Sequence, residues 1–294
     1  MTQVLVLGSG LLGESLVRVA PDDCDVIQAA RRDQNDENRP YCNIADPNSV
    51  YRLFDEIPSP DIVVNCAAMS GVDACEECPD GARSANALGV KYLAERCKMA
   101  GAYFIHISTD YVFSGDETDL LESDPITPCS VYGATKAEGE FYALTCTEHS
   151  CVIRTAWLFG HARQDFVSSV VQKLLNDENV SVIYKQVGTP TYSDDLAEAI
   201  WKLIYNLDRA KNRIYHFTNK GSLTRYDMVQ KMKDILKSSS SVTRAEEESI
   251  PSWIAMRPKR SVMSCRLIEQ DFNLSIRSWE DAFIDYCGKR KSLE

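Results

Sequence analysis

Tyr132 and Lys136 stand four residues apart, with Ser108-Thr109 upstream of them. On a helix this spacing is slightly more than one turn, so a phenol and an amine project from one face, close enough to couple. An ammonium beside a phenol favours the phenolate and lowers a pKa that is otherwise near 10. The phenol then serves as proton donor and acceptor near neutral pH. Such a pair suits a carbonyl that gains or loses hydride at carbon and a proton at oxygen.

Hydride needs a carrier, and the start of the chain supplies a place for one. The short apolar run Val4–Leu7 ends in Gly8-x-Gly10-x-x-Gly13 and then turns helical. This is the context a dinucleotide fingerprint requires. Gly8 permits the tight turn, Gly10 lets the backbone approach a pyrophosphate, and Gly13 allows close helix–strand packing. The N–H groups of the helix start, at Leu11 and Leu12, then face the anion. The second strand ends Ala29-Ala30-Arg31-Arg32. Guanidinium groups can fork onto a 2′-phosphate where an acid would repel it, which favours NADP(H). Asp33 follows directly and keeps NAD(H) as an alternative.

The elements that must hold these residues alternate. Strands are expected at Val4–Leu7, Asp25–Ala30, Ile62–Cys66, Tyr103–Ile107 and Cys151–Arg154, with helices near Asn48–Phe54, Ala82–Ala100 and Tyr132–Leu144. This rhythm predicts an α/β fold with a doubly wound, mostly parallel sheet of the Rossmann type. We expect residues 1–160 to form the dinucleotide-binding domain, with return segments near 180–215. Residues 161–294 then form mainly a smaller C-terminal substrate-binding lobe. Its expected elements are helices at Phe166–Leu175, Asp194–Leu207 and Tyr226–Leu236 and short strands near Val180–Tyr184 and Arg213–Phe217. The polar stretch from Lys237 to Glu248 reads as a mobile surface loop.

Bulk properties narrow the function. The chain has 294 residues, 44% hydrophobic and 26% charged, and a formal charge of -11. An acidic chain lacks the basic face that a nucleic acid requires. No apolar run reaches the length of a membrane span, and the first residues lack the basic start of a signal peptide. Eleven cysteines in no repeat spacing then read as reduced thiols, and the expected location is cytoplasmic. Cys75-x-x-Cys78 lacks a second pair and reads as two thiols on a short helical segment rather than a metal half-site.

The series Ala67-Ala68-Met69-Ser70-Gly71-Val72-Asp73, Ser108–Phe113, Tyr132–Glu140, Arg154–Trp157, Gln186–Thr191, Tyr215-His216 and Arg257-Pro258 covers nearly the whole length. In this order it resembles the extended short-chain dehydrogenase/reductases, and within them the dTDP-4-dehydrorhamnose reductase family. The resemblance implies NADPH-dependent reduction of the C4 ketone of a nucleotide-linked 4-keto-6-deoxyhexose. Tyr132 would give a proton to the ketone oxygen. Lys136 would hold the nicotinamide ribose and depress the tyrosine pKa, and Thr109 would hydrogen-bond the developing alkoxide. Asn43, Ile44, Cys66, Ala67 and Ala68 would line the cofactor site. Val72, Asp73 and Trp157 would shape the sugar pocket, with Arg257 near the diphosphate. Asn86 matches an asparagine that steadies the active-site backbone in the wider superfamily; a helix-surface amide is the alternative. His106 reads as a satisfied core residue.

Departures from the pattern also carry information. Thr109-Asp110-Tyr111 lacks the glutamate of sugar-nucleotide dehydratases, which favours reduction without elimination. Ser15 stands where some members carry a magnesium-binding glutamate at a dimer interface, so no such metal is expected, while a homodimer stays open. Arg31-Arg32 and Asn43-Ile44 are also similar to the regulatory beta subunit of methionine adenosyltransferase. That subunit shares the fold and binds NADP(H), but its partner is the methionine adenosyltransferase catalytic subunit. Retention of Thr109 and Val72-Asp73 favours the reductase.

Overall fold

Val4 and Val6 point to one face of the first strand, Leu5 and Leu7 to the other, and all four are buried. Neighbouring strands repeat this two-sided burial: Ile62 and Val64 against Val63, Ile105 against Phe104, Cys151 and Ile153 against Val152. A strand covered on both faces needs apolar side chains at every position, which explains the continuous runs in the sequence. In this computed structural model every residue is described except 32–38, 116–118, 248–249, 251 and 294, and the side chains of 291–293.

Six strands form one parallel sheet. In spatial order they are Cys24–Ala29, Thr2–Leu7, Ile62–Asn65, Tyr103–Thr109, Ser150–Thr155 and Arg213–His216. The chain runs outward in one direction from Thr2–Leu7 and then in the other. The reversal lies between Thr2–Leu7 and Ile62–Asn65, with Leu7 opposite Asn65. At such a point the loops leave in opposite directions and open a crevice at the carboxyl ends of the strands. Helices Leu11–Arg18, Ser193–Ile204 and Arg266–Phe272 cover one face, and Pro47–Glu56, Gly89–Ala100 and Val131–Cys146 the other.

The expected helix over Ala82–Ala100 is interrupted. Pro79–Arg83 is followed by a π-helical turn, Ser84–Leu88, before Gly89–Ala100 resumes. A π turn widens the backbone by one residue, which sequence periodicity does not reveal. Helix Val131–Cys146 crosses this turn so closely that a Cβ on Gly139 would stand 2.2 Å from the Asn86 carbonyl oxygen.

A second core lies in the C-terminal lobe, among Phe166–Leu175, Arg225–Leu236 and the helix beginning at Trp279. Here the expectation of a mobile loop after Lys237 is corrected. Val242–Ala245 is a strand, paired in parallel with Val180–Ile183. The serines before it are tied down: the Ser238 hydroxyl donates to the Leu174 carbonyl at 2.6 Å, and the Ser239 amide to Asp177 at 2.8 Å. Polar side chains here satisfy backbone groups instead of leaving the segment loose.

Candidate active site

A cleft of about 890 Å³ opens at the carboxyl ends of the strands where the order reverses. Gly8 turns into it with φ of +106°, a conformation that side chains strain. A Cβ on Gly13 would stand 2.0 Å from the Gly8 carbonyl oxygen, so only glycine allows the helix to pack against the turn. Gly10 precedes helix Leu11–Arg18 without a side-chain cap, leaving the first amides open to an anion. Leu11, Leu12, Arg31, Asn43, Ile44, Cys66, Ala67 and Ala68 line the same cleft. Arg32 and Asp33, which bear on the choice of dinucleotide, lie outside the described residues. A guanidinium from outside the sequence motifs stands nearby: the central carbon of Arg163 is 3.9 Å from the position of a Cβ on Gly10. The turn, the open amides and the basic rim fit a dinucleotide.

Tyr132, Lys136 and Thr109 line this cleft too. Ser130 caps their helix, its hydroxyl accepting from the Gly133 amide at 3.2 Å. Gly133 itself cannot carry a side chain, because a Cβ would fall 2.1 Å from the Tyr111 carbonyl oxygen. The helix therefore seats directly on the turn that follows Thr109, and this sets the distance from phenol to threonine.

The electrostatics differ from the expected lysine–phenol coupling. Burial pushes the Tyr132 pKa above the ordinary phenol value, and a hydrogen bond with Thr109 opposes the rise only in part. Lys136 is not among the groups that act most strongly on it. Its nitrogen donates to the Ile107 carbonyl at 2.6 Å and meets the His106 ring at 3.2 Å, and burial pushes its pKa down to about 8. At about 8 the amine still carries its charge through most of the neutral range. Asp110 is likewise pushed up to about 6 by burial, although Thr109 donates to it at 3.0 Å and Ser261 at 2.5 Å.

Val72 and Trp157 also line the cleft. Trp157 has φ of +42°, uncommon for a residue with a side chain, and its ring occupies the space a side chain on Gly188 would need. Asp73 and Arg257 are placed differently from expectation. They do not line the cleft; they form an ion pair, with Arg257 stacked 3.9 Å from the centre of the Trp253 ring. Asp73 also accepts from the Ile254 and Ala255 amides at 2.9 and 3.1 Å, joining the lobe to the helix that begins at Val72. Two unlike charges so well matched satisfy one another.

A second arginine, Arg225, stands at the cleft. Its guanidinium lines the cleft, stacked 4.2 Å from the centre of the Trp157 ring and 4.7 Å from Phe166. Its Nε is buried with no hydrogen-bond partner, and among the described residues it forms no ion pair. One signal was available in the sequence: an arginine at the first position of a helix opposes the helix dipole and calls for a separate reason. Asn86 holds the cleft wall, accepting from the Met69 amide at 2.8 Å and donating to its carbonyl at 3.0 Å. It is buried and not a surface amide.

Ser15 is buried, with its hydroxyl 2.8 Å from both Asp194 and Ser193, so it belongs to the packing of two helices. Cys75 donates to the Met69 carbonyl at 3.3 Å, and none of the eleven cysteines is joined in a disulfide. No helix among the described residues is long and apolar enough to cross a membrane.

Comparison with known proteins agrees with this geometry. The model of the RmlD substrate binding domain matches residues 1–291. The chain is 35% identical to the spore coat polysaccharide biosynthesis protein SpsK of Bacillus subtilis, over 99% of each chain. It is 30% identical to a dTDP-4-dehydrorhamnose reductase of Aggregatibacter actinomycetemcomitans, over 96% of this chain and 97% of that one. The crystal structure of dTDP-4-dehydrorhamnose reductase from Bacillus anthracis in complex with NADP superposes with a TM-score of 0.89 at 28% identity, covering 98% of this chain and all of that one. With its glycine turn, tyrosine and lysine gathered in one cleft, the chain belongs to the RmlD substrate binding domain family, the family of the dTDP-4-dehydrorhamnose reductases.

Proposed function

We propose that this chain reduces the C4 ketone of a nucleotide-linked 4-keto-6-deoxyhexose, of the dTDP-4-dehydro-L-rhamnose type, with NADPH as the preferred reductant. One observation carries the reading: Tyr132, Thr109 and Lys136 share a single cleft with the glycine turn and with Arg225, whose Nε has no hydrogen-bond partner among the described residues. The family match favours this over the regulatory-subunit reading.

Reduced nicotinamide, when bound, supplies hydride to the ketone carbon. Tyr132 gives its phenolic proton to the oxygen as negative charge develops there. Its raised pKa suits this direction, because the phenol stays protonated through the neutral range. Thr109 assists by hydrogen-bonding the same oxygen. Its hydroxyl now donates to Asp110 and must rotate to do so. Lys136 reaches the ribose from the wall formed by Ile107. Arg225, stacked on Trp157, receives the diphosphate of the sugar nucleotide, and Arg163 and the open amides after Gly10 receive the pyrophosphate of the dinucleotide. The choice of NADPH rests on Arg31 at the lip of the cleft.

The direct test follows NADPH absorbance with dTDP- and UDP-linked 4-keto-6-deoxyhexoses. Turnover with at least one is expected. Absence of turnover across the panel, together with tight binding to a methionine adenosyltransferase catalytic chain, would favour the regulatory reading.

A further inference from the structure

Ser261 and Asp110 are far apart in the chain and both buried, and their side chains meet at 2.5 Å. Ser261 closes a two-residue strand, Arg260–Ser261, that pairs in parallel with Val187–Gly188. Gly188, opposite Ser261, is the residue whose missing side chain leaves room for the Trp157 ring. The C-terminal lobe thus reaches the turn after Thr109 through one hydroxyl.

Asp110 divides its carboxylate between two hydroxyls. Oδ1 accepts from Thr109 at 3.0 Å and Oδ2 from Ser261 at 2.5 Å. Thr109 has a single hydrogen to give. Its oxygen also accepts from the Tyr111 amide at 3.3 Å, which holds the side chain over the turn. In the resting site that hydrogen is committed to Asp110, whereas the proposed reduction needs it at the ketone oxygen. Rotating the hydroxyl redirects it and moves no heavy atom. The cost falls on Oδ1, a buried acceptor left with one donor fewer. Without compensation, Asp110 would hold Thr109 back.

We propose that Ser261 is a positioning residue for the reduction: its hydroxyl keeps the Asp110 carboxylate satisfied while Thr109 turns its hydrogen to the ketone oxygen. This rests on the reductase reading above. A separation of 2.5 Å is in the short range of a hydroxyl donating to an ionised carboxylate. The groups around Asp110 agree with that charge state. The Arg225 cation favours the carboxylate, while Tyr111 and Tyr132 are protonated phenols and bring no charge. Burial still brings the Asp110 pKa up to about 6. A carboxylate so placed depends on each donor it has, and Ser261 is the donor that the reaction does not take away.

The test measures kcat at about pH 8, where Asp110 is ionised with or without Ser261. Ser261→Ala should lower kcat about tenfold and leave KM for the sugar nucleotide and NADPH affinity within a fewfold. Ser261→Thr, which keeps the hydroxyl, should recover most of the rate. The discriminating comparison is made in Thr109→Val, which has no hydrogen to turn: there Ser261→Ala should cost little more. Losses that multiply in the double variant, or a rise in KM with kcat unchanged, would overturn the proposal. A second readout needs no turnover. In protein labelled with carbon-13 at the aspartate carboxyl, the signal missing from Asp110→Asn should move its midpoint up by about one pH unit in Ser261→Ala. An unchanged midpoint would show that Ser261 does not hold the carboxylate. If Ser261→Ala does not fold, Ser261→Cys, a weaker donor, should change kcat and midpoint in the same directions. A wild type that turns over no 4-keto sugar would defeat the reductase reading itself, whereas turnover with multiplying losses would defeat only the role of Ser261.

Discussion

Arg257 and Asp73, far apart in sequence, meet as a buried-edge ion pair that pins the segment from Trp253 to Arg257 against the helix starting at Val72. Val72 lines the cleft and Asp73 follows it, so on the proposed reading the pair steadies the wall of the sugar pocket. Asp73→Asn keeps the shape and loses the charge. Removing one partner of a charge-assisted pair typically costs about 1.5–3 kcal/mol where solvent is partly excluded. We expect KM for the sugar nucleotide to rise by about tenfold or more, with NADPH affinity little changed. Equal losses in both would show that the ion pair supports the whole cleft and not the sugar side.

Tyr132→Phe removes the proton donor and leaves the ring in place. General-acid removal should lower kcat by roughly 10²–10⁴-fold while NADPH still binds. The raised pKa of Tyr132 adds a pH expectation. The reactive form is the protonated phenol, so kcat for reduction should hold through neutral pH and fall only on the alkaline side. A fall in kcat on the acid side of pH 7, absent from Tyr132→Phe, would contradict the donor assignment.

Arg225 offers a separate handle on the sugar nucleotide. Its buried Nε has no hydrogen-bond partner among the described residues, and its guanidinium is stacked on two aromatic faces. A group so placed gains when an anion arrives. Arg225→Gln should raise KM for the nucleotide sugar by about 10–100-fold, and Arg225→Lys should recover only part because it cannot stack or fork. Isothermal titration with dTDP alone checks this without catalysis; unchanged dTDP affinity would rule Arg225 out as the diphosphate contact.

The sheet was legible because both of its faces are covered. Runs such as Val4–Leu7 and Ile62–Val64 have no polar position to obscure them. Val242–Ala245 was hidden because it is only partly buried and its partner strand, Val180–Ile183, is remote in sequence. The π turn at Ser84–Leu88 depends on the close approach of Gly139, a tertiary fact with no period of its own. Tyr132 and Lys136 were found by a spacing that one helix imposes. His106 was read as a core histidine and is one, but the parallel register also sets it between Asn65 and Lys136. Strand alternation says which face a residue takes and nothing about the helix that crosses it. The pairing of Arg257 with Asp73 was hidden for the same reason: which guanidinium an acid meets depends on where Asp73 falls in space.

Arg31 lines the cleft at the end of strand Cys24–Ala29, the position from which a dinucleotide's adenosine ribose is read. A guanidinium there gains from a 2′-phosphate and little from a hydroxyl. Arg31→Ala should raise KM for NADPH by about tenfold and leave NADH within a fewfold. Parallel losses for both cofactors would refute discrimination by the phosphate.

Asp194 ties the cofactor half to the lobe through a buried carboxylate. It accepts from Ser15 at 2.8 Å and Tyr192 at 2.7 Å and pairs with Arg18. These donors outweigh the cost of burial and hold its pKa down to about 2, against 3.8 in the unfolded chain. Because the folded value is the lower one, the carboxylate's contribution is complete above about pH 4 and is lost as pH falls from 3.8 toward 2. The gap corresponds to roughly 2 kcal/mol. Arg18 is 41% exposed, so screening reduces this to about 1–2 kcal/mol. Asp194→Asn should therefore lower Tm at pH 7 by about 2–6 °C. The difference between wild type and variant should shrink as pH is lowered through 3, where the wild-type carboxylate begins to take up its proton. If the two melting curves stay equally far apart at pH 7 and at pH 2.5, the stabilisation comes from shape and hydrogen bonding alone, and the charge on Asp194 contributes nothing.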